Sequence, residues 1–320
     1  MSAGVSAPPA VDLRTSLAGL ELEHPVLNGS GTFDAPAALR TFGDELRERF
    51  PFSAFVSKTI TLAPRGGNRP PRLWETPSGL INSIGLPNKG LVGFLEHDVP
   101  VLATLPVPLI VSVAGFSRDE FETLVQTVAD RAEVAALELN VSCPNVKSGC
   151  VVGSEAGEMS ALMRAVRPLT AKPLIVKLTP NVSEIAPVAR AAEEGGADAL
   201  SLINTLRATA VDPSSGRPWL GAGSGGLSGP AVRPVALAHL AAVVAATDLP
   251  VVGMGGIQDG RHALDFIAQG ASCVAVGTES FRDPLAGLRV REQLAHELQR
   301  RSLRRVQDAR GPADRARTHS

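Results

Sequence analysis

Cys143 stands in the segment Asn140-Val141-Ser142-Cys143-Pro144-Asn145, directly after an apolar run, where Pro144 stiffens the chain. A thiol flanked by amides suits nucleophilic attack or acceptance of a proton, because a cysteine can be tuned toward neutral pH. It equally suits a small filler beneath a loop, since free cysteines are often buried and inert. Lys58 and Lys177 end two other apolar runs in a chain with only five lysines. Each could form a Schiff base or stabilise an anion, or lie along the rim with its head in water. Gly253-Met254-Gly255-Gly256-Ile257 and Val276-Gly277-Thr278 end two further runs, and Gly229 lies in a third glycine-rich segment. Glycines there expose backbone N–H groups to a phosphate; tight packing is the ordinary alternative. Asn28, Asn82, Asn140, Asn145 and Asn204 supply amides that both donate and accept. Gathered at one place they suit a planar amide- or imide-bearing ligand such as a pyrimidine, although Asn is also common in plain turns.

The elements that must position these groups are eight short β-rich runs: Pro25–Asn28, Ala54–Lys58, Leu109–Val113, Ala135–Asn140, Pro173–Leu178, Ala199–Asn204, Pro250–Met254 and Cys273–Val276. Nearly all the reactive residues lie at their C-terminal ends. Polar and glycine residues gathered at one rim of eight strands mark the mouth of an α/β fold of the (β/α)8 TIM-barrel type. Helices alternate with the runs, as βα units require. Ser117 with Glu120 forms a capping box ahead of Phe121, Leu124, Val125 and Val128. Asn181 or Ser183 is expected to cap a helix carrying Ile185, Val188, Ala189 and Ala192, and Asp259 to start one that ends near Gly270. Pro230 to Ala246 and Leu285 to Arg300 are the remaining strong helices.

Residues 1–11 are expected to be a disordered N-terminus, 12–300 the barrel, and 301–320 a polar, solvated tail. The weak alternation from Asp12 to Glu23 around Ala18-Gly19 predicts an N-terminal hairpin at the barrel floor. Long loops follow the second, fourth and sixth strands. Thr61 to Leu91 and Leu206 to Gly229 are expected to be irregular and functional.

The 320 residues, 44% of them hydrophobic, suffice for one large core. A net charge of −1 gives no pull toward nucleic acid or an anionic membrane. Cys143, Cys150 and Cys273 have no CxxC spacing, which argues against a disulfide framework, a zinc site or an iron–sulfur cluster within this chain. A reducing cytoplasm is the simplest compartment. Neither a signal peptide nor an apolar run of about 20 residues is visible, so no membrane is expected.

Taken together, Val56-Ser57-Lys58-Thr59, Asn82-Ser83-Ile84-Gly85-Leu86-Pro87-Asn88, Asn140 to Gly149, Val176-Lys177-Leu178, Ile203-Asn204-Thr205, Gly226-Leu227-Ser228-Gly229-Pro230 and the two glycine loops resemble the class 1 dihydroorotate dehydrogenases, in order, over about residues 12–285. The Ser-Cys-Pro-Asn-Val-Lys-Ser-Gly segment is most similar to the NAD-linked subclass.

The resemblance implies FMN-dependent oxidation of dihydroorotate to orotate in de novo pyrimidine (UMP) biosynthesis. Cys143 would take the C5 proton while a hydride passes from C6 to the flavin. Lys58, Asn82, Ser83, Ile84, Gly85, Leu86, Asn140, Asn145, Asn204 and Thr205 would hold the substrate. Ser30, Lys58, Thr59, Ser112, Asn140, Lys177, Ile203, Gly229, Gly255, Gly256, Gly277 and Thr278 would hold FMN, with the glycine loops at its phosphate and Lys177 beside its ring. It further implies a homodimer and, in the NAD-linked subclass, a separate subunit carrying FAD and a 2Fe–2S cluster. The chain has no GxGxxG following a strand for NAD itself; fumarate, used by the other class 1 branch, stays open as the electron acceptor.

Two positions depart from the pattern. Ser112 stands where Asn is expected at the flavin, and Cys150 where a second Gly is usual. These leave open an FMN barrel acting on another pyrimidine-like ring. Read without the resemblance, the residues also leave open a non-flavin, phosphate-binding barrel lyase.

Overall fold

The computed structural model describes residues 11–142 and 152–311. Eight parallel strands are β1 (Val26–Asn28), β2 (Phe55–Val56), β3 (Leu109–Val113), β4 (Val134–Asn140), β5 (Leu174–Lys177), β6 (Ala199–Leu202), β7 (Val251–Met254) and β8 (Cys273–Val276). They lie in the order β1-β8-β7-β6-β5-β4-β3-β2, so each strand neighbours the next in sequence, as right-handed βα repetition requires. All eight coincide with the apolar runs of the sequence, to within a few residues at their ends.

The seam between β1 and β2 is closed partly by a side chain. Asn28 Nδ2 donates to the Val56 carbonyl at 2.8 Å, and the Val56 N–H donates to Asn28 Oδ1 at 2.8 Å. The amide thus imitates a peptide in the ladder, joined by Ser53 N–H donating to the Val26 carbonyl at 3.0 Å. Asn28 is fully buried and spent on the wall; it is not one of the amides facing a ligand. Asn28→Ala orphans one buried donor and one buried acceptor, at about 1–3 kcal/mol each. Urea unfolding should show a loss of roughly 2–6 kcal/mol, on the same basis, with little change in slope.

Inward side chains of the strands, among them Leu27, Val56, Ile110, Ile175, Val252 and Cys273, pack as one cluster with Leu17 and Leu22. Those two belong to the antiparallel hairpin Thr15–Leu17 and Leu20–Leu22, whose turn residues Ala18 and Gly19 have φ of 51° and 82°, as a two-residue primed turn requires. The expected hairpin therefore plugs the barrel floor. Burial pushes the Cys273 thiol up to about 12, so it remains an inert thiol at neutral pH.

The outward faces of the strands carry the larger core, against helices that begin largely where the sequence indicates. Ser117 Oγ accepts from Glu120 N–H, and Asp259 Oδ1 from His262 N–H. Asn181 and Ser183 do not cap their helix. Ala186–Glu194 has no side-chain cap; Asn181 instead donates to the Thr205 carbonyl and accepts from Arg207 N–H, because the loop after β6 offers it unpaired backbone groups.

Two expectations need correction. The chain is not a solvated tail directly after residue 300: Val306 is buried, its N–H donates to the Asp12 carbonyl, and Asp12 N–H donates to the Arg304 carbonyl. Residues 312–320 lie outside the described residues. Nor are the long loops after β2 and β6 wholly irregular. Leu73–Thr76, Gly79–Asn82, Gly225–Ser228 and Leu206–Ala208 form a four-stranded antiparallel sheet. Its register aligns Trp74, Ile81 and Leu227 on one face and Leu73, Asn82 and Gly226 on the other. Ile81 and its neighbours form a small separate core with Ala210 and Leu220, and the opposite face is free to serve the barrel mouth.

Candidate active site

A cavity of about 690 Å³ opens at the C-terminal ends of the strands, a size usual for a cofactor or small-molecule site. It is walled on one side by that antiparallel sheet, through Leu73, Leu80, Asn82 and Ser228, and elsewhere by the strand ends. Of the residues expected to hold substrate, Lys58, Asn82, Ile84, Gly85, Leu86, Asn140, Asn204 and Thr205 line it. Of those expected to hold the cofactor, Ser30, Thr59, Lys177, Ile203, Gly229, Gly255, Gly256, Gly277 and Thr278 also do.

Ser83 and Ser112 are not among the lining residues. Ser83 continues the strand whose alternation sends Asn82 inward, and its Oγ accepts from Asn68 Nδ2 at 3.0 Å. Ser112 is fully buried below the cavity floor. Cys143, the expected catalytic residue, lies outside the described residues, together with Asn145 and Cys150. The residue just before Cys143 is tied to the site: Asn204 Nδ2 donates to Ser142 Oγ at 2.8 Å.

Beneath the cavity runs a polar network that ends on a buried carboxylate. Lys177 Nζ lies 3.8 Å from Glu138 Oε1, with the two side chains only 7% and 4% exposed. Ser112 Oγ donates to Glu138 Oε1 at 3.0 Å and Ser201 Oγ to Oε2 at 3.1 Å. Since the Ser112 proton goes to the carboxylate, Thr59 must be the donor in its 2.9 Å contact with Ser112. Thr59 Oγ1 in turn accepts from Asn140 Nδ2 at 3.2 Å, and Asn140 Oδ1 accepts from Asn204 Nδ2 at 3.3 Å. Three lining residues are thereby locked to one buried ion pair. Such a pair is held in place by its hydrogen bonds, because burying either charge alone is costly.

Sequence reasoning missed Glu138 and Ser201. A signal existed: Glu138 is the one charge inside the apolar run Val134–Asn140, and a buried charge needs a partner. The Ser112 departure also acquires a reason. A short hydroxyl there reaches Glu138 and Thr59 together, while not forming part of the cavity wall.

The glycines divide by cause. Gly229, Gly255 and Gly256 have φ of 93°, 129° and 73°, and a methyl on Gly256 would lie 2.8 Å from the Gly229 carbonyl oxygen. Backbone strain and packing therefore demand glycine at these positions. Gly277 differs: a methyl there would meet only Thr32 Cγ2, at 3.7 Å. Protein packing leaves this backbone open to a ligand. Thr278 Oγ1 donates to Ser228 Oγ at 2.8 Å, which joins the β8 loop to the segment just before Gly229.

The model of the dihydroorotate dehydrogenase family matches residues 12–298. The chain belongs to the dihydroorotate dehydrogenase family. It is 45% identical over 309 residues to "Dihydroorotate dehydrogenase B (NAD(+)), catalytic subunit" of Desulforudis audaxviator, covering 95% of this chain and 98% of that relative. It is 42% identical over 303 residues to "Putative dihydroorotate dehydrogenase A (fumarate)" of Solibacter usitatus, covering 93% and 97%. Among solved structures, the Eimeria tenella dihydroorotate dehydrogenase crystallised with ferulenol superposes with a TM-score of 0.75, at 24% identity, over 94% of this chain and 88% of the other; that likeness supports the barrel fold. The family is one of flavin-dependent oxidoreductases. The chain is accordingly an oxidoreductase of pyrimidine biosynthesis, and the lyase alternative falls away. Among the described residues, no helix is long and apolar enough to cross a membrane.

Proposed function

We propose that this chain binds FMN and oxidises dihydroorotate to orotate. The observation that carries the reading is the convergence, in one cavity, of the glycine strand ends of β7 and β8, the buried Lys177, and the amides Asn82, Asn140 and Asn204. The residues fit the cofactor: the open backbone at Gly277 beside Gly255, Gly256 and Thr278 suits its phosphate, and Lys177 suits its ring. FMN bound there would supply the hydride acceptor for the oxidation.

Lys177 supplies a fixed positive charge where negative charge develops, and costs no reorganisation because Glu138 already holds it. Asn82 presents its amide from the sheet above the mouth, its Nδ2 donating to the Gly226 carbonyl at 3.2 Å. Asn140 and Asn204 present theirs from below, oriented by Thr59 and Ser142. Lys58, exposed at the rim, suits the substrate carboxylate. Cys143 takes the C5 proton; this role rests on the family resemblance of its segment. Asn145 joins the substrate contacts on the same ground.

The electrons leave through a separate subunit that carries FAD and a 2Fe–2S cluster, with the catalytic chain a homodimer. The word "catalytic subunit" in the name of the Desulforudis audaxviator relative favours such a partner; the fumarate-linked name of the other relative is the competing acceptor. Purified alone, the chain should be yellow, release one FMN on acid denaturation, and contain no iron. A colourless protein that FMN cannot reconstitute, or stoichiometric iron in the isolated chain, would contradict the reading.

A further inference from the structure

Arg289 lies on the helix Ala286–Arg300, outside the residues assigned to the site above. Its guanidinium nonetheless spans two of the loops that form the glycine cradle. Nη1 donates to the Gln258 carbonyl at 2.7 Å, two residues after Gly256. Nη2 donates to Glu279 Oε1 at 2.7 Å, directly after Thr278, and Nε donates to Asp283 Oδ2 at 3.1 Å. Gln258 and Glu279 both line the cavity. Glu279 is 7% exposed and also pairs with Arg282.

A buried carboxylate at the rim of a phosphate cradle is a paradox: it opposes the anion that the glycine backbones attract. The geometry resolves it if the carboxylate serves as an anchor and a cation cancels its charge. We propose that Arg289 is a positioning residue for the cofactor phosphate. It ties the β7 and β8 loops into one rigid cradle and, together with Arg282, neutralises Glu279 so that a dianion can sit beside it. The planar fork is essential to this role, because one group must reach a carbonyl and two carboxylates in fixed directions. The inference rests on the FMN reading and deepens it. It concerns the phosphate end of the ligand alone and makes no demand on the ring.

That restriction supplies the test. Apoprotein of the wild type, Arg289→Met and Arg289→Lys is titrated with FMN and, separately, with riboflavin, which has the ring and lacks the phosphate; bound ligand is read by fluorescence quenching. Arg289→Met should weaken FMN about tenfold or more, while riboflavin changes less than twofold. Arg289→Lys keeps the charge and loses the fork, and should give a smaller loss, again for FMN alone. Added salt should narrow the difference between wild type and Arg289→Met, since the repulsion left by Glu279 and Asp283, now short of one cation, is screened. Equal weakening of both ligands, or no weakening of FMN, overturns the proposal. If Arg289→Met does not fold, Arg289→Lys decides: an unchanged FMN-to-riboflavin ratio overturns it. Wild-type protein that binds neither ligand instead refutes the flavin reading itself, so the two failures are distinguishable.

Discussion

Cys143→Ala should cut the rate of flavin reduction by dihydroorotate by about 10²–10⁴, the usual share of general-base catalysis, while orotate still binds. The base needs only a useful thiolate fraction near the working pH. In the wild type the rate should therefore rise with pH through one ionisation, as the thiolate forms, and level off above it. Cys143→Ser should keep some activity and move that rise to higher pH, because an alcohol is the weaker acid. Cys150→Ala and Cys273→Ala are the controls. Cys273 lies fully buried against the barrel floor with its thiol pushed up to about 12, so its removal should leave the pH profile unchanged. Anaerobic stopped-flow across pH makes the measurement. A Cys143→Ala protein that reduces flavin at the wild-type rate with the same profile would place the base elsewhere.

Lys177→Ala should slow the reductive half-reaction roughly a hundredfold, with a nearly unchanged dissociation constant for the substrate. Loss of one preorganised charge at a reacting centre costs about 3 kcal/mol. The same change strands Glu138, held by Ser112 and Ser201, as a buried charge without its cation, so stability should fall too, by about 3–5 kcal/mol. The double variant Lys177→Ala, Glu138→Gln separates the two effects. It should recover much of the stability and none of the rate. A variant that binds substrate weakly yet reduces flavin normally once saturated would give Lys177 a binding role only.

The barrel was legible because its strands are buried on both faces. A run such as Leu109–Val113 is apolar except for Ser112 and stops at Ala114-Gly115, and both bounds match the strand. Residues gathered at strand ends then fall at one rim as a consequence of topology. Ser117 and Asp259 were legible as caps because a cap bond is local, spanning three residues. The antiparallel sheet was not legible. Asn82 pairs with Gly226 across 144 residues, and strands of three or four residues amid Pro and Gly carry too little periodicity to declare themselves. Asn28 was read as a ligand contact from its place at a strand end, and Ser112 from the family resemblance. Burial gave each a different partner, Val56 for one and Glu138 for the other. Val306 escaped notice because the few apolar residues of an Arg-rich stretch, Leu303, Val306 and Ala309, show no periodicity and meet the core only in the fold, where Val306 pairs with Asp12.

The central claim is that this cavity delivers dihydroorotate to a flavin. Anaerobic titration of the yellow protein with dihydroorotate, followed by its flavin absorbance near the blue maximum, tests it most directly. The account predicts bleaching in proportion to added substrate, with one orotate formed per flavin reduced and no added metal or partner subunit. A flavin that stays oxidised with saturating dihydroorotate, yet is reduced by dithionite, would contradict it.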